Sequence, residues 1–173
     1  RELLESGVAI KRIVFTHGDP DHIGGSDHLR RAFGAEVCAP IADRPLIDRS
    51  GWSRLPRLRW LLLRTFFRRT PAPAVDRWID AEGSLDGLEI VPTPGHTPGH
   101  ICLDWNGWLI AGDAFRSGDR FSESPWPFTM DRSTARASIE TLLARSPIGA
   151  SSSHGRPQDN ATERLQALVD SWS

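Results

Sequence analysis

The segment Arg12-Ile-Val-Phe-Thr-His-Gly-Asp-Pro-Asp-His22 joins a short apolar run to a polar loop that holds two histidines and two aspartates. Residues 12–16 predict a short buried strand, and residues 17–22 form the loop that follows it. Helically spaced apolar residues then run as far as Gly34, and residues 36–39 again predict a strand. This order of strand, loop, helix and strand indicates an α/β fold, in which a rigid sheet edge aims the side chains of the loop.

The rest of the chain continues with further strands and helices. We expect strands over residues 88–91, 101–105, 108–111 and 148–152, and helices over residues 40–49, 132–145 and 160–172. Asn106-Gly107 separates two of these strands, and this dipeptide is a strong signal for a hairpin turn.

Three more polar segments follow predicted strands: Thr93-Pro-Gly-His96, Ala111-Gly-Asp113 and Ser153-His154-Gly155. With the first loop they supply four histidines and three aspartates, namely His17, Asp19, Asp21, His22, His96, Asp113 and His154. Two neighbouring divalent cations need several anionic oxygens to offset their repulsion, and imidazoles to set their geometry. The sequence therefore predicts a binuclear metal site. In an extended loop, positions 17 and 19 point toward one ion while positions 21 and 22 turn toward the second.

The four segments, in this order and spacing, resemble the metallo-β-lactamase superfamily, and in particular hydrolases similar to glyoxalase II. The closest literal match is Thr93-Pro-Gly-His-Thr-Pro-Gly-His100, and the resemblance covers residues 8–160. It implies an αββα four-layer sandwich with a binuclear site at one edge. By position, His17, Asp19 and His96 bind the first metal, Asp21, His22 and His154 bind the second, and Asp113 bridges them.

Two departures from the family pattern affect these expectations. Asp19 stands where the family usually has a second histidine, so the first site is richer in oxygen ligands. We expect two divalent metal ions, zinc first, with iron or manganese as alternatives. Family members also begin with strands that precede the first motif. We therefore expect a single domain over residues 1–173 that lacks part of the first sheet and carries a variable basic insert at residues 52–70.

The expected function is hydrolysis by a metal-bound hydroxide, because two cations lower the pKa of bound water toward neutrality. The hydroxide attacks an ester, thioester or related carbonyl, and Asp21 orients it or receives its proton as well as binding metal. Two alternatives remain open: a di-iron redox enzyme, and a non-catalytic metal-binding or membrane-associated module. For substrate contacts the sequence nominates Arg116, Arg120, Trp126 and Phe128, which lie between Asp113 and the next helix.

Other chemically capable side chains have simpler structural roles. The residues not expected to act as ligands or nucleophiles are His28, His100, Cys38, Cys102, Asp104, Asp119 and Asp131. We expect both cysteines to be small buried groups, because they lie in predicted strands. The aspartates are expected in a strand, a turn and a helix N-cap position. For His100, a contact with a metal ligand remains open.

Charge is balanced over the chain but uneven along it. The formal net charge is −1, which provides no global field for nucleic acid, so we expect a small-molecule substrate and no nucleic-acid partner. Residues 44–77 contain nine arginines against Asp48 and Asp76, a local charge of +7. Within this segment, residues 54–69 predict an amphipathic helix, either packed on the domain, covering the site as a lid, or lying on an anionic membrane surface. The side expected to be apolar consists of Leu55, Leu58, Leu62 and Phe66.

The same composition bears on cellular location and assembly. No apolar run approaches the roughly 20 residues that a bilayer-spanning helix needs, so no transmembrane segment is expected. We expect a cytoplasmic protein and leave a homo-oligomer open. The chain opens on Arg1 inside a helix-like stretch, so a signal peptide upstream is left open as well.

Overall fold

The computed structural model describes residues 5–52, 58, 60, 61, 65 and 71–173. The chain divides into two compact units, one ending at Ile79 and the other running from Asp80 to Ser173. Each unit has its own sheet and its own helices.

The first unit contains a three-stranded parallel sheet in the order β1-β2-β3. Its elements are β1 (Arg12–Val14), α1 (Pro20–Ile23), α2 (Ser26–Phe33), β2 (Glu36–Pro40), a 3-10 turn (Ile41–Asp43), α3 (Arg44–Ile47) and β3 (Arg77–Ile79). Parallel neighbours need a crossover connection, and α1 and α2 supply it between β1 and β2. Gly34 ends α2 in the left-handed conformation, with a φ of 66°.

Two features of this unit differ from the sequence-based expectation. The helix predicted over residues 40–49 is wrong at its start, because Pro40 still pairs as the last residue of β2. β3 was not predicted at all. Three residues are too few for a period-2 pattern, and β3 is defined by its pairing with β2, in which Arg77 lies opposite Cys38.

The core of the first unit includes residues from both sides of the loop that follows β1. Phe15, Ile23, Val37, Ala39 and Ile47 form one buried cluster. Burying a Val, Ile or Phe side chain stabilises a fold by about 1.5–3 kcal/mol, so this cluster fixes both ends of the polar loop at residues 17–22.

The second unit contains a six-stranded sheet in the order β4-β5-β6-β7-β8-β9. Its elements are β4 (Gly83–Leu85), β5 (Leu88–Pro92), β6 (Ile101–Trp105), β7 (Trp108–Ile110), a 3-10 turn (Trp126–Phe128), α4 (Arg132–Ala144), β8 (Gly149–Ser151), β9 (Gln158–Asp159) and α5 (Ala161–Asp170). All neighbours are antiparallel except β7 and β8. The strands and helices predicted from residue 88 onward are confirmed within two residues at each end.

Local chemistry explains several of these boundaries. Asn106 and Gly107 have φ angles of 52° and 86°, as the predicted hairpin turn between β6 and β7 requires. Asp131 is the N-cap of α4, because its carboxylate accepts a hydrogen bond from Thr134 N. Asp104 accepts from Gly107 N at 2.8 Å and pairs with Arg145, so its role is structural.

One face of the second sheet forms the main core with α4 and α5. Val91, Cys102 and Leu109 come from β5, β6 and β7. They pack in one buried cluster with Ile139 and Leu165 from the two helices. The period-2 alternation of β5 to β7 sets which side chains enter this cluster.

Three further expectations can be compared with the structure. Cys38 and Cys102 are buried free thiols, as predicted. Within the described ranges, no helix combines the length and apolarity needed to cross a bilayer. Leu58, one member of the expected apolar side of the insert, is 47% exposed. The other three members, Leu55, Leu62 and Phe66, lie outside the described residues.

Candidate metal centre

The loop between β1 and α1 carries the four candidate ligands of the first unit. His17 is fully buried and Asp19 is 6% exposed, whereas 46% of the Asp21 side chain is exposed. The rings of His17 and His22 lie 4.1 Å apart between centroids. His22 Nε2 lies 3.4 Å from Asp21 Oδ2, and His17 Nε2 lies 3.9 Å from Asp19 Oδ2.

Two features of the first unit hold this loop in place. Gly18 leaves no room for a side chain, since a β-carbon there would lie 2.9 Å from Leu46 Cβ. Its amide donates to the buried carboxylate of Asp43 at 2.8 Å. Asp19 occupies the N-cap position of α1 but makes no capping hydrogen bond, and its carboxylate lies 3.9 Å from His17 Nε2.

The loop after β5 carries His96, which is 2% exposed. Met130 N donates to His96 O at 3.1 Å, and Asp131 N donates to Gly95 O at 2.9 Å. Gly95 has a φ of 129°, and a β-carbon there would lie 2.2 Å from Ala135 N. This glycine therefore allows the His96 loop to lie directly against the start of α4.

Asp113, after β7, lies between two histidines of the second unit. Its Oδ2 atom is 3.6 Å from His96 Nε2 and 3.4 Å from His154 Nε2. Asp113 is 7% exposed, and its backbone carbonyl accepts a hydrogen bond from Ser124 Oγ at 2.7 Å. The structure thus brings together three candidate ligands that come from three separate loops.

The loop that carries His154 is held by contacts of neighbouring residues. The His154 side chain itself is 47% exposed. Ser117 N donates to Ser152 Oγ at 2.8 Å, and Ser152 N donates to Ser117 Oγ at 3.0 Å. A β-carbon on Gly155 would lie 1.9 Å from Ser117 O, so only glycine permits this contact. We call this arrangement of Ser117, Ser152 and Gly155 the serine clasp.

Three pairs of donor atoms have a spacing that suits a divalent metal ion, and the fourth pair, His17–Asp19 at 3.9 Å, is longer. Two ligand atoms held about 2.0–2.1 Å from a tetrahedral zinc are about 3.3–3.4 Å apart. The pairs Asp113–His154, Asp113–His96 and His22–Asp21, at 3.4, 3.6 and 3.4 Å, are close to this separation. They are longer than an ordinary N–H···O hydrogen bond of about 2.7–3.2 Å. Imidazole with carboxylate is also a donor set that suits zinc, iron and manganese.

A cleft of about 230 Å³, including space open to solvent, reaches the ligands of the second unit. Besides the ligands His96 and Asp113, its lining residues are Ala114, Glu123, Ser124, Thr129, Arg132, Ala135 and Ile139. Arg132 and Arg136 both pair with Glu123, and their hydrogen bonds lower the pKa of this carboxyl to about 2. The sequence reasoning missed Glu123 and Arg132. Their spacing of nine residues carries no periodic signal, although Glu123 lies in the segment from which substrate contacts were nominated and Arg132 begins the helix that follows it.

The four nominated substrate contacts are all on the surface. Arg116 forms a backbone bridge with Ser122, and Arg120 is exposed. Trp126 and Phe128, on the 3-10 turn before α4, are 72% and 45% exposed.

Comparison with known proteins identifies the family. The family model described as the metallo-beta-lactamase superfamily matches residues 2–150. The chain belongs to this superfamily, and the fold class inferred from the motifs is confirmed.

Similar proteins include the hydroxyacylglutathione hydrolases of Anaeromyxobacter dehalogenans and Methylobacillus flagellatus. The first is 33% identical over 111 residues, covering 62% of this chain and 33% of that protein. The second is 30% identical over 113 residues, covering 65% of this chain and 37% of that protein. The probable metallo-hydrolase YflN of Bacillus subtilis is 29% identical over 177 residues, covering 87% of this chain and 66% of that protein. The matches to the two hydroxyacylglutathione hydrolases thus span about a third of the length of those proteins.

Solved structures share the fold at lower identity. TTHA1623 in a di-iron-bound form superposes with a TM-score of 0.75 at 23% identity, covering 94% of this chain and 78% of that one. The BLEG-1 B3 metallo-beta-lactamase superposes with a TM-score of 0.71 at 20% identity, with the same coverage. These likenesses define the fold.

Proposed function

We propose that this chain is a metal-dependent hydrolase of esters or thioesters, and that the ligand loops of its two units form one binuclear centre. His17, Asp19 and His96 would hold one ion, Asp21, His22 and His154 would hold the other, and Asp113 would be shared between them. The observation that carries the proposal is the position of Asp113, whose Oδ2 atom lies 3.4–3.6 Å from two histidine nitrogens. Membership of the superfamily supports joining the two sets of ligands.

The residues of the chain divide the chemical tasks between them. Two divalent ions at such a site lower the pKa of a bound water and polarise a carbonyl oxygen. The Asp21 carboxylate, nearly half exposed, orients the attacking water or receives its proton. The proposed ligands His17, Asp19 and Asp113 are buried, which fixes the positions of their donor atoms. Because water is the nucleophile, no serine or cysteine nucleophile is needed.

The relatives and the cleft support the proposed substrate class. Hydroxyacylglutathione is a thioester, and hydrolases of that name match the chain at 30–33% identity. Beside the ligands of the second unit, Arg132 offers N–H donors to a polar substrate group. The hydroxyl oxygens of Ser124 and Thr129 offer acceptors, because their protons are donated to Asp113 O and Ser124 O. Trp126, which is 72% exposed on the 3-10 turn before α4, is the side chain that we propose for contact with an apolar part of the substrate.

The metal is zinc, iron or manganese, and Asp19 bears on the choice. A carboxylate in place of a histidine makes the first site harder and more anionic, which favours iron or manganese more than the usual ligand set does. Loading the same protein with each metal in turn therefore belongs to the functional test.

The experiment combines metal analysis with a substrate panel of thioesters and carboxylic esters. The metal-loaded chain should hold two ions and hydrolyse members of the panel, and chelation should remove the activity. The test variant is Asp113→Asn. The control is Asp119→Asn, because Asp119 is an exposed aspartate in the same segment between β7 and α4. The Asp113 variant should lose metal and activity, whereas the Asp119 variant should keep both. Hydrolysis that survives complete removal of metal would contradict the proposal.

A further inference from the structure

His100 is the fifth of the six histidines of the chain, and it lies next to the candidate ligands without belonging to them. It is 1% exposed and stands immediately before β6. Its Nε2 atom receives a hydrogen bond from Asp113 N at 3.0 Å. On the other side of the ring, Nδ1 lies 2.7 Å from Thr93 Oγ1. The ring therefore connects Asp113 with the start of the loop that carries His96.

The directions of these hydrogen bonds follow from one donor. A backbone amide can only donate, so His100 Nε2 accepts and its proton must sit on Nδ1 in the neutral ring. Nδ1–H then donates to Thr93 Oγ1. The Thr93 hydroxyl has an acceptor at 3.3 Å in Cys102 Sγ, and Cys102 Sγ donates to Ala111 O at 3.4 Å.

The thiol supports the same order of donors and acceptors. Cys102 is fully buried, and burial raises the pKa of its thiol to about 12. The sulfur therefore keeps its proton at neutral pH and is available to donate to Ala111 O. The chain of hydrogen bonds begins at Asp113 N and ends at Ala111 O, two residues earlier in the same loop. It encloses the backbone of the bridging ligand from both sides.

We propose that His100 is a positioning residue, held as the neutral Nδ1–H form by Thr93, whose Nε2 atom fixes the backbone of Asp113 and so sets its carboxylate between His96 and His154. The part of this inference that concerns metal affinity rests on the proposed binuclear centre. The part that concerns the proton position does not, because it follows from contacts within the second unit alone.

Two substitutions separate the two sides of the ring. In His100→Gln, the side-chain oxygen can occupy the position of Nε2 and accept from Asp113 N. In His100→Asn, the shorter amide can replace Nδ1 and donate to Thr93, but nothing replaces the acceptor for Asp113 N. Asn is smaller than Gln, so a residue that only fills space would lose stability in Asn, and zinc affinity is therefore measured as well as the free energy of unfolding. His28→Gln is the matched control, because His28 is an exposed histidine on α2.

The first measurement is the proton position in the wild-type chain without metal. Long-range ¹H–¹⁵N correlation spectra, assigned through His100→Gln, distinguish the protonated from the unprotonated ring nitrogen. The expected result is a neutral His100 with the proton on Nδ1. A proton on Nε2, or on both nitrogens, at neutral pH would overturn the inference whatever the metal content.

The second measurement is zinc affinity, by competition with a chromophoric chelator, in wild type and the three variants. His100→Asn should weaken binding by about 10- to 100-fold, as loss of an outer contact to a metal ligand typically does. His100→Gln and His28→Gln should stay close to wild type. Equal losses in the Gln and Asn variants, or no loss in either, would overturn the positioning role. A wild-type chain that binds none of zinc, iron and manganese would overturn the proposed centre and this role with it, while the spectrum would still decide the proton position.

Discussion

The two units place their candidate ligands by different means. The first unit uses six consecutive residues, His17 to His22, so four side chains follow from one loop conformation. The second unit draws His96, Asp113 and His154 from three loops, and each loop is fixed by its own contacts. The comparison teaches that a motif compact in sequence needs little support, whereas a dispersed site depends on polar contacts that are remote in sequence.

The supporting contacts make this difference concrete. In the first unit, the Gly18 contact with Leu46 and the Asp43 hydrogen bond account for the loop position. In the second unit, His100 holds Asp113, the serine clasp holds the His154 loop, and the start of α4 holds the His96 loop. Changes to the second unit should therefore affect metal binding through more routes.

The largest effect is expected from Asp113→Ala compared with Asp19→His. Loss of the proposed bridge weakens both ions, whereas histidine at position 19 restores the usual ligand type of the family. Loss of an outer contact already costs about 10- to 100-fold in metal affinity, so Asp113→Ala should exceed that range and abolish hydrolysis. Metal content and kcat/KM measure both variants. Equal losses would show that Asp113 is not shared between the ions.

The serine clasp offers the next largest effect. In Gly155→Ala the new methyl group would clash with Ser117 O and displace the loop that carries His154. We expect metal affinity to fall by about 10-fold or more and the free energy of unfolding to fall by about 1–3 kcal/mol. Gly118→Ala is the control, since a β-carbon there would lie 3.6 Å from its neighbour, Arg120 O. If both variants bind metal like wild type, the clasp does not position His154.

A smaller effect is expected in the first unit from Asp43→Ala. The substitution leaves the buried Gly18 amide without its carboxylate acceptor, which typically costs about 1–3 kcal/mol of stability. Urea unfolding measures the loss, with Asp48→Ala as an exposed aspartate control. Zinc affinity should fall less than in Gly155→Ala, because the six-residue motif keeps its local geometry. A greater fall in affinity would reverse the contrast between the units.

The smallest effect is expected from Glu123→Gln, which weakens the ion pairs beside the cleft. The pKa of Glu123 is held at about 2, below its ordinary value of 4.5, so the folded state favours the charged form. The stabilisation is therefore present above about pH 5 and is lost as the pH falls toward about 2. We expect a loss of about 1–2 kcal/mol at pH 7 after solvent screening. Urea unfolding at pH 7 and pH 4 should show the difference shrinking, and a constant difference would argue against the ion pairs. Glu140→Gln, an exposed control on α4, should change little at either pH.

The same contrast explains how much of the molecule the sequence predicted. The loop after β1 and the Asn106-Gly107 hairpin are local signals, and the structure has the predicted strand, loop and turn there. β3 and the serine clasp were not predicted, because each is defined by a partner at least 35 residues away (152 − 117 = 35). Glu123 was not predicted for a related reason. Its role depends on Arg132 and Arg136, which only folding brings to the same carboxylate.

The central claim is that the ligands of the two units form a single binuclear centre, and the distance between the bound ions tests it most directly. X-ray absorption of the metal-loaded chain reports both the ligand types and any metal–metal scattering. The account predicts two ions per chain with a metal–metal distance of roughly 3.5–4 Å, and loss of that feature in Asp113→Ala. Two ions without a short metal–metal distance, or full occupancy that persists without Asp113, would contradict it.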